Sequence, residues 1–369
     1  MNYLYHLYME FLSKYGIPEL FGNITFYIIP FCIVAAALLI VVLGLVLIER
    51  KLLGWLTQRK GPNRVGFWGL LQTLADAFKL LIKENITPSK ADRFLFNLAP
   101  ILVFIPVMTV LGIIPYCAEF TFVNTSTNVI LYLILVAFPV LSLFLGGWAS
   151  NNKYSLIGAV RGIAQVLSYE VPITFVVLSV VTLASSMNMT GIILAQYSRY
   201  GIFGWFGIPC IIGFVIMFIC VLAELNRCPF DLPEAESELI CGYNTEYSGM
   251  RFALFYLSEY ALLFANAIFL SIMFLGGYLS PFGAYLSHLI LGDSSLASVI
   301  VYFEQVFWLI LKACLIIFVI IWIRATLPRL ASFDLLKFSW AVLLPLSIFN
   351  LFFTVVYKFV TGGALCGLS

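Results

Sequence analysis

The chain has 369 residues, of which 62% are hydrophobic and only 10% are charged, with a mean hydropathy of +1.04 and a formal net charge of +2. Soluble domains carry about 25% charged residues, so this composition excludes an ordinary soluble domain and predicts an integral membrane protein.

Apolar stretches long enough to cross the roughly 30 Å hydrocarbon core recur along the whole chain. Eight can be counted, at 26–48, 94–116, 128–149, 163–187, 207–223, 251–275, 299–323 and 338–360. The amino-terminal stretch lacks a signal-peptide pattern, so we expect direct insertion. The sequence therefore predicts an all-α polytopic membrane protein with eight transmembrane helices, formed by a single integral membrane domain over residues 1–369.

The basic residues predict the orientation of the helices. Four connecting segments share one side of the membrane: 49–93, 150–162, 224–250 and 324–337. Sixteen of the twenty Lys and Arg residues lie in these segments or at their edge, against Lys14, Arg199 and Lys358 on the other side. Because Lys and Arg accumulate on the inner side of membranes, we expect the four segments inside and both termini outside.

The first inner segment, 49–93, is too strongly patterned for a linker. It contains the helix breaker Gly61-Pro62-Asn63, surrounded by five basic residues: Arg50, Lys51, Arg59, Lys60 and Arg64. Apolar residues then recur at helical spacing from Leu70 to Ile82, which predicts an amphipathic helix that stops before Pro88. Anchoring at lipid head groups and docking of a partner both explain such a helix.

The inner segment 224–250 gathers six of the eighteen carboxylates of the chain. Asp231 and Glu234 have the spacing of an N-cap and its capping-box partner, and Gly242 suits a C-cap. We therefore predict a short acidic helix, with its first turn crowded by Glu234, Glu236 and Glu238. A solvated helix would explain these charges, but the apolar neighbours favour acids with raised pKa values, which exchange protons readily.

Ionisable residues also fall inside the predicted spans, where a charge costs about 2.5–3.5 kcal/mol on insertion scales and usually has a function. Three acids lie at a similar depth near the inner side of consecutive spans: Glu170, Glu224 and Glu259. We expect them to meet in one cavity as a proton relay. Structural pairing is the alternative, Glu170 with Arg161, and it is equally open for Glu304 with Lys312 in the seventh span.

The sequence offers no ligand set for a redox cofactor. Its eight cysteines form no CxxC pair, its histidines are His6 and His288, and no glycine-rich phosphate loop is present. We therefore expect no cofactor bound by this chain alone, and any electron carrier belongs to a partner.

Four stretches are distinctive: QRKGPNRVGFWGLLQTLADAFKLLIKE (58–84), RGIAQVLSYE (161–170), AELNRCPFDLPEAESELICGYNTEYSG (223–249) and WIRATLPR (322–329). They resemble the membrane subunit that joins the two arms of respiratory complex I, known as subunit 1 in mitochondria and as the H subunit in bacteria. The resemblance covers essentially the whole chain beyond its first 25 residues. It implies a proton-pumping NADH:quinone oxidoreductase in the bacterial cytoplasmic membrane or the mitochondrial inner membrane.

The resemblance also implies roles for particular residues. Quinone is the substrate, in a chamber lined or supported by Arg50, Arg59, Phe252 and Tyr256. The implied proton-coupling acids are Asp76, Glu170, Glu224, Glu234, Glu236, Glu238, Glu246 and Glu259. Their implied counter-charges are Arg161, Arg227 and Lys312.

The same resemblance implies the partners. Peripheral-arm subunits of the iron–sulfur and 49-kDa type would roof the chamber, with FMN and iron–sulfur clusters held by partner subunits. Small membrane subunits and antiporter-like subunits would receive the coupling, and lipid would surround the helices. No nucleic acid is expected.

The sequence departs from the family pattern at several positions. Thr73 stands where a proline is usual, and Tyr256 replaces a common phenylalanine. Ala331 and Phe333 stand where the family typically has Arg and Asp. Their loss argues against a salt bridge at the inner end of the seventh helix, unless Asp334 substitutes.

Two other functions compete with this one. A related membrane subunit of a ferredoxin- or F420-linked dehydrogenase, or of a membrane-bound hydrogenase, would keep the fold and change the electron donor. A secondary transporter would use the membrane acids as an ion site, but the chain lacks the internal repeat and matching broken helices common in such carriers.

Overall fold

The computed structural model describes residues 19–118, 121, 123, 125–197, 201–234, 236–283 and 295–360, with the surroundings of the side chains given except at 19–34, 236–237 and 295–299. The predictions made for Lys14, Arg199, both histidines and the two termini lie outside the described residues.

The described part of the chain is helical and contains no strand. Its α-helices are α1 (Glu19–Leu56), α2 (Gln72–Ile82), α3 (Arg93–Ile113), α4 (Asn128–Ala149), α5 (Lys153–Ala184), α6 (Met189–Ala195), α7 (Ile211–Glu224), α8 (Glu236–Leu239), α9 (Gly249–Phe274), α10 (Ser295–Thr326), α11 (Ser332–Phe338) and α12 (Leu344–Val360). A π-helical turn, Ser339–Leu343, joins α11 to α12 without a break.

Six helical stretches in the described residues are long and apolar enough to cross a membrane: α3, α4, α5, α9, α10 and the continuous α11–α12. The shorter α7 has 14 residues, or about 21 Å at 1.5 Å per residue, because the segment 201–210 before it is irregular. Helix α1 has 38 residues and includes the first predicted span. An all-α polytopic membrane protein is therefore confirmed, while the number of eight spans stays a prediction.

Helix α9 lies at the centre of the bundle. It packs against α1, α2, α3, α7 and α10, and between residues 260 and 274 only Phe264 is not fully buried. A helix that is hydrophobic on every side belongs in the interior of a bundle. A polar residue in this part of α9 is therefore costly unless it has a partner inside the protein, since water and lipid head groups are out of reach.

The connecting segments 57–92, 150–152, 225–248 and 327–331 come together at one end of the bundle, here called the inner end. The backbone of Asp92 donates to Ala149, that of Ile86 to the Ser248 hydroxyl, and that of Leu330 to the carbonyl of Pro229. These bonds tie each segment to another from a distant part of the sequence. The inner end is therefore a folded layer on the bundle.

Helix α2 lies where the amphipathic pattern predicted one. It packs against α1 and α9 and buries Thr73. Much of its apolar side stays exposed, including Phe78 at 61% and Ile82 at 82%. Exposed apolar area of this kind marks a surface that meets lipid or another protein.

The predicted acidic helix between Asp231 and Gly242 is wrong in extent. Only one turn forms, α8, and the expected capping box is absent because Asp231 and Glu234 bind other parts of the protein. Gly242 has φ +55°, and a Cβ there would lie 1.6 Å from the carbonyl oxygen of Pro233. The chain crosses itself at this point, so the loop shape depends on this glycine.

We expect Gly242→Ala to distort the connecting segment 225–248, here called the acidic loop, and to lower the melting temperature of the purified protein. The left-handed backbone alone costs a non-glycine residue about 1–2 kcal/mol, and the clash with Pro233 adds to it. The matched control is Gly112→Ala in α3, where a Cβ meets nothing within 4 Å and the change should be neutral or stabilising. Equal melting temperatures for the two variants would contradict this account.

Candidate functional site

A small cavity lies inside the bundle near its inner end, among α3, α4, α5, α7 and α9. Its volume for water is about 40 Å³, enough for about three molecules at roughly 10–15 Å³ each. Two carboxylic acids line it, Glu224 at the end of α7 and Glu259 in α9, among mostly apolar side chains. Glu170 is outside the lining, although its charge acts on Glu224. Two of the three acids expected to meet therefore share one cavity.

Tyr243 connects this cavity to the acidic loop. Its hydroxyl lies 2.9 Å from Glu259 Oε1 and 3.2 Å from Glu234 Oε1, and the Asn244 amide donates to the same Glu234 oxygen at 3.0 Å. The Tyr243 hydroxyl therefore bridges the Glu234 and Glu259 carboxyls.

The Tyr243 phenol itself is a donor at ordinary pH. Burial, followed by the charges of Glu259 and Glu234, raises the pKa of Tyr243 well above its usual value. The phenol carries one hydrogen and can give it to only one acid at a time. Tyr243, Glu234 and Glu259 therefore form a cluster in which one proton can be redistributed.

Glu224 has a separate set of contacts. The Asn266 side chain in α9 donates from Nδ2 to Glu224 Oε2 at 3.0 Å, and the Tyr132 hydroxyl in α4 donates to Asn266 Oδ1 at 2.6 Å. Tyr132 and Asn266 are each 1% exposed. Three helices therefore converge on this one carboxyl.

Three further acids of the loop bind residues outside it. Asp231 accepts from Arg329 at 2.7 Å, and Glu246 accepts from Asn152, the N-cap of α5, at 2.8 Å. Glu238 pairs with Arg161 at 2.5 Å. The side chain of Glu236 lies outside the described surroundings. These bonds fix the loop on the bundle, which a freely solvated acidic helix would not need.

The contact of Arg161 with Glu238 decides one open alternative. Arg161 lies nine residues before Glu170 on α5, or about 13.5 Å along the axis, and its guanidinium points to the loop. Pairing of Glu170 with Arg161 is therefore not what the structure shows.

Glu49, Arg227 and Arg324 form a buried ionic cluster at the inner end. Both oxygens of Glu49 accept from Arg227 Nη1, at 2.7 and 2.6 Å, and Arg324 also donates to Oε1. Glu49 is 3% exposed and Arg227 7%, and the Arg227 guanidinium lies 4.6 Å from the centre of the Tyr260 ring. The cluster joins α1, α10 and the loop after α7. Arg227, expected as a counter-charge of the membrane acids, has Glu49 as its direct partner.

The residues expected at a quinone chamber lie where α1, α2 and α9 meet. Arg50 on α1 pairs with Asp76 on α2 at 2.5 Å, and Gln72 supports Asp76 at 3.1 Å. On α9, Phe252 and Tyr256 stack with ring centres 6.2 Å apart. The Tyr256 hydroxyl lies 3.1 Å from that of Tyr260, so the three rings form a continuous aromatic face.

Arg59 lies apart from that face, in the basic segment after α1 that leads into Gly61-Pro62-Asn63. Its side chain is exposed, while its backbone amide donates to the carbonyl of Gly54. This bond holds the basic segment against the end of α1. The guanidinium of Arg59 is therefore presented at the surface of the inner end.

Lys312 is far from the acids. Its ammonium donates to the carbonyls of Leu275, Gly277 and Leu279 at 2.7, 2.8 and 2.7 Å, at the outer end of α9. Along that helix the distance from Glu259 to Leu275 is about 24 Å. The ammonium satisfies carbonyls left open where α9 ends, so the open pairing with Glu304 is not formed and Lys312 lies away from the cavity.

The altered positions at the start of α11 leave an ion pair at the inner end intact. Ala331 is the N-cap of α11 and Phe333 is 75% exposed. The pair between Arg329 and Asp231 forms without either of them. Asp334 is exposed and has no ion pair within the described residues, so it does not serve as the substitute.

Several residues of this site escape prediction from the sequence. The sequence pattern marks Tyr243 only as part of an apolar context, and it does not single out Tyr132 or Asn266. A polar Asn in the middle of a strongly apolar span is a detectable signal, whereas a buried Tyr is common in any core. Among the described residues no three His, Cys, Asp or Glu side chains are placed to hold a metal ion. The arrangement is suited to moving protons among carboxyls, water and a phenol.

Comparisons with known proteins agree with these features. A family model described as NADH dehydrogenase matches residues 29–355. The chain is 46% identical over 330 residues to the H subunit of NADH-quinone oxidoreductase from Brevibacillus brevis, covering 88% of this chain and 92% of that protein. It is 45% identical over 328 residues to the corresponding H subunit of Geobacillus thermodenitrificans, with the same coverage. The corresponding protein of Bacillus thuringiensis is 43% identical over 329 residues, again covering 88% and 92%.

The buried ionic cluster yields a stability prediction. Glu49→Gln leaves the Arg227 and Arg324 guanidinium groups without their shared carboxylate. Breaking a buried pair on one side costs roughly 3–5 kcal/mol, so we expect a clear loss of thermal stability in detergent. Glu238→Gln is the matched control, because its pair with Arg161 is exposed at 58% and 33% and is worth below about 1 kcal/mol. Similar melting temperatures for both variants would show that the cluster is not a stabilising junction.

Proposed function

The chain belongs to the NADH dehydrogenase family, with relatives that are H subunits of NADH-quinone oxidoreductase, and from this membership we propose that it couples quinone reduction to proton translocation. In this proposal the inner end forms part of the quinone chamber. The membrane acids then carry the response away from it. Electrons arrive through FMN and iron–sulfur clusters held by partner subunits.

One observation carries the coupling proposal: an inner-loop acid, Glu234, shares a hydrogen-bonded cluster with a membrane acid, Glu259. The loop belongs to the folded layer at the inner end, and Glu259 lines the small cavity inside the bundle. A proton or charge change in the layer therefore acts directly on a group inside the bundle.

The strength of this coupling can be estimated from the electrostatic energy between two charges. Two unit charges 4 Å apart interact by about 4 kcal/mol at an effective dielectric constant of 20. Reduction of a quinone to the neutral quinol takes up two electrons and two protons, so groups of the layer that supply those protons are left with more negative charge. A change of one charge at Glu234 is then large enough to decide whether Glu259 holds a proton, and Glu224 shares the same cavity.

The quinone side of the proposal rests on the meeting point of α1, α2 and α9. The aromatic face of Phe252, Tyr256 and Tyr260 fits a flat ring or an isoprenoid tail. The pair of Arg50 and Asp76 adds a polar group beside it, with Arg59 nearby in sequence at the surface. Peripheral-arm subunits of the iron–sulfur and 49-kDa type would complete the chamber above this surface.

The other partners follow from the same proposal. Small membrane subunits and antiporter-like subunits would cover the outside of the bundle and receive the charge change. The inner end would face the cytoplasm or the matrix, in agreement with the basic residues gathered there.

An alternative electron donor keeps the same geometry. A membrane subunit of a ferredoxin- or F420-linked dehydrogenase or of a hydrogenase would also need a layer acid linked to a membrane acid. The relatives at 43–46% identity are all named for NADH and quinone, which favours the NADH enzyme. A secondary transporter has no comparable support.

The acids of the cavity give the central test. In membranes containing the assembled complex, Glu224→Gln and Glu259→Gln should each lower NADH:quinone reductase activity and proton pumping by about tenfold or more, because losing an interaction of about 1.4 kcal/mol costs a factor of ten. Ferricyanide reduction by the peripheral arm should stay unchanged.

Glu304→Gln is the matched control, since this glutamate also lies in a long apolar helix but not on the cavity. It should keep nearly all activity. Wild-type pumping in assembled complexes of both cavity variants would rule out the proposed coupling role.

The quinone chamber gives a second test. Arg59→Ala should raise the apparent KM for quinone, or loosen the junction of the two arms, because an exposed guanidinium at the inner end would be lost from the chamber rim. Lys60→Ala, the next residue and also exposed, is the control for a simple loss of positive charge. An assembled Arg59 variant with quinone kinetics equal to those of the Lys60 variant would exclude a specific role.

A further inference from the structure

Two polar side chains on α4 and α9 have no role in the cluster of Glu234, Glu259 and Tyr243. Asn266 and Tyr132 are both almost fully buried, and their neighbours in the bundle are largely apolar. The Tyr132 ring stacks on Phe269 with ring centres 3.9 Å apart and planes 10° from parallel. Leu and Phe would fill the same space without burying polar groups, so packing does not explain the amide and the phenol.

The hydrogen bonds give the amide a direction. The Tyr132 hydroxyl carries the only hydrogen between it and Asn266 Oδ1, at 2.6 Å, so the oxygen end of the amide faces α4. The amino end is thereby turned to Glu224 Oε2 at 3.0 Å. The phenol on α4 and the carboxyl on α7 thus hold the amide of α9 between them, with its amino group toward the carboxyl.

The two oxygens of Glu224 therefore have different hydrogen-bonding environments. Oε2 accepts from an amide, which does not readily give up or take a proton. Oε1 accepts no hydrogen bond within the described residues, and Glu224 lines the cavity that has room for water.

We propose that Asn266 and Tyr132 are positioning residues that hold one oxygen of Glu224, so that this acid exchanges protons at its other oxygen, on the cavity side. The proposal rests on the function proposed for Glu224 and specifies how that acid is presented. Asn266 touches the acid directly, and Tyr132 acts through Asn266. Glu224 then exchanges protons through the cavity that it shares with Glu259.

The experiment uses the whole complex in membranes and compares matched pairs of variants. Asn266→Leu removes the amide, and Asn350→Leu removes another buried amide, which donates to Ser179 at 3.0 Å in α5 and touches no acid. Tyr132→Phe removes one hydroxyl, and Tyr116→Phe removes a hydroxyl bonded only to the carbonyl of Leu111. Assembly is checked by co-purification and by ferricyanide reduction.

We expect Asn266→Leu to lower quinone reductase activity and pumping by about fivefold or more, as for loss of a hydrogen bond to a charged group. Tyr132→Phe should give a smaller loss, because it frees the amide without changing the volume. Both control variants should stay close to wild type. Activity of assembled Tyr132→Phe and Asn266→Leu complexes equal to that of their controls would overturn the proposal.

A pH profile separates positioning from a merely structural role. Asn266→Asp keeps the shape, and in its protonated form the introduced carboxyl donates to Glu224 and accepts from Tyr132 as the amide does. As pH rises the pair loses this proton, and two adjacent carboxylates repel each other. We expect this variant to be active at acid pH and to lose activity with rising pH more steeply than wild type.

Other titratable groups also face Glu224: Glu170 from α5, Tyr132 from α4, Cys220 on α7 and Glu259 from α9. They are unchanged in Asn266→Asp and in wild type, so the difference between the two profiles reports the introduced group. A profile parallel to that of wild type would overturn the proposal.

Glu224→Gln, assayed alongside, separates this inference from the proposed function. If Glu224→Gln is impaired and the Asn266 and Tyr132 variants behave like their controls, only the positioning role fails. If Glu224→Gln itself has wild-type activity, the coupling role of Glu224 and the positioning role fail together.

Discussion

Contact between the acidic loop and α9 holds the site together. Tyr243 and Asn244 on the loop bind Glu234, and Tyr243 reaches Glu259 inside the bundle. Without it Glu259 would lack its hydrogen bond from the loop in an apolar interior, where an unpartnered charge costs several kcal/mol. With it, a group in the folded layer at the inner end and a group inside the membrane share one hydrogen-bonded cluster.

The rest of the inner end follows from the need to partner every buried charge. Glu49 neutralises Arg227 and shares a bond with Arg324, which fixes two helices and the loop at one point. Lys312 meets the same need at the other end with three backbone carbonyls. Buried ion pairs contribute little net stability but are costly to break, so they act here as fixed joints that specify geometry.

Fixed joints around a small cavity fit the proposed role in proton coupling. The loop is held by Asp231, Glu238 and Glu246 to three different partners, so its position is defined around the cluster of Tyr243, Glu234 and Glu259.

The sequence by itself determined the class of protein, most helix positions, the amphipathic α2 and the membrane acids, because apolar runs and charges in apolar runs are local signals with large free energies. Equal depth alone predicted that Glu170, Glu224 and Glu259 meet in one cavity, and the structure places two of them, Glu224 and Glu259, on its lining. Tertiary structure decided the partners: Arg227 with Glu49, Arg161 with Glu238, and Lys312 with the end of α9. It also replaced the capping box at Asp231 by long-range bonds, because a capping box gains only about 1 kcal/mol and contacts from distant segments outweigh it. Which side chains become partners depends on which helices meet, and a local sequence pattern does not predict that.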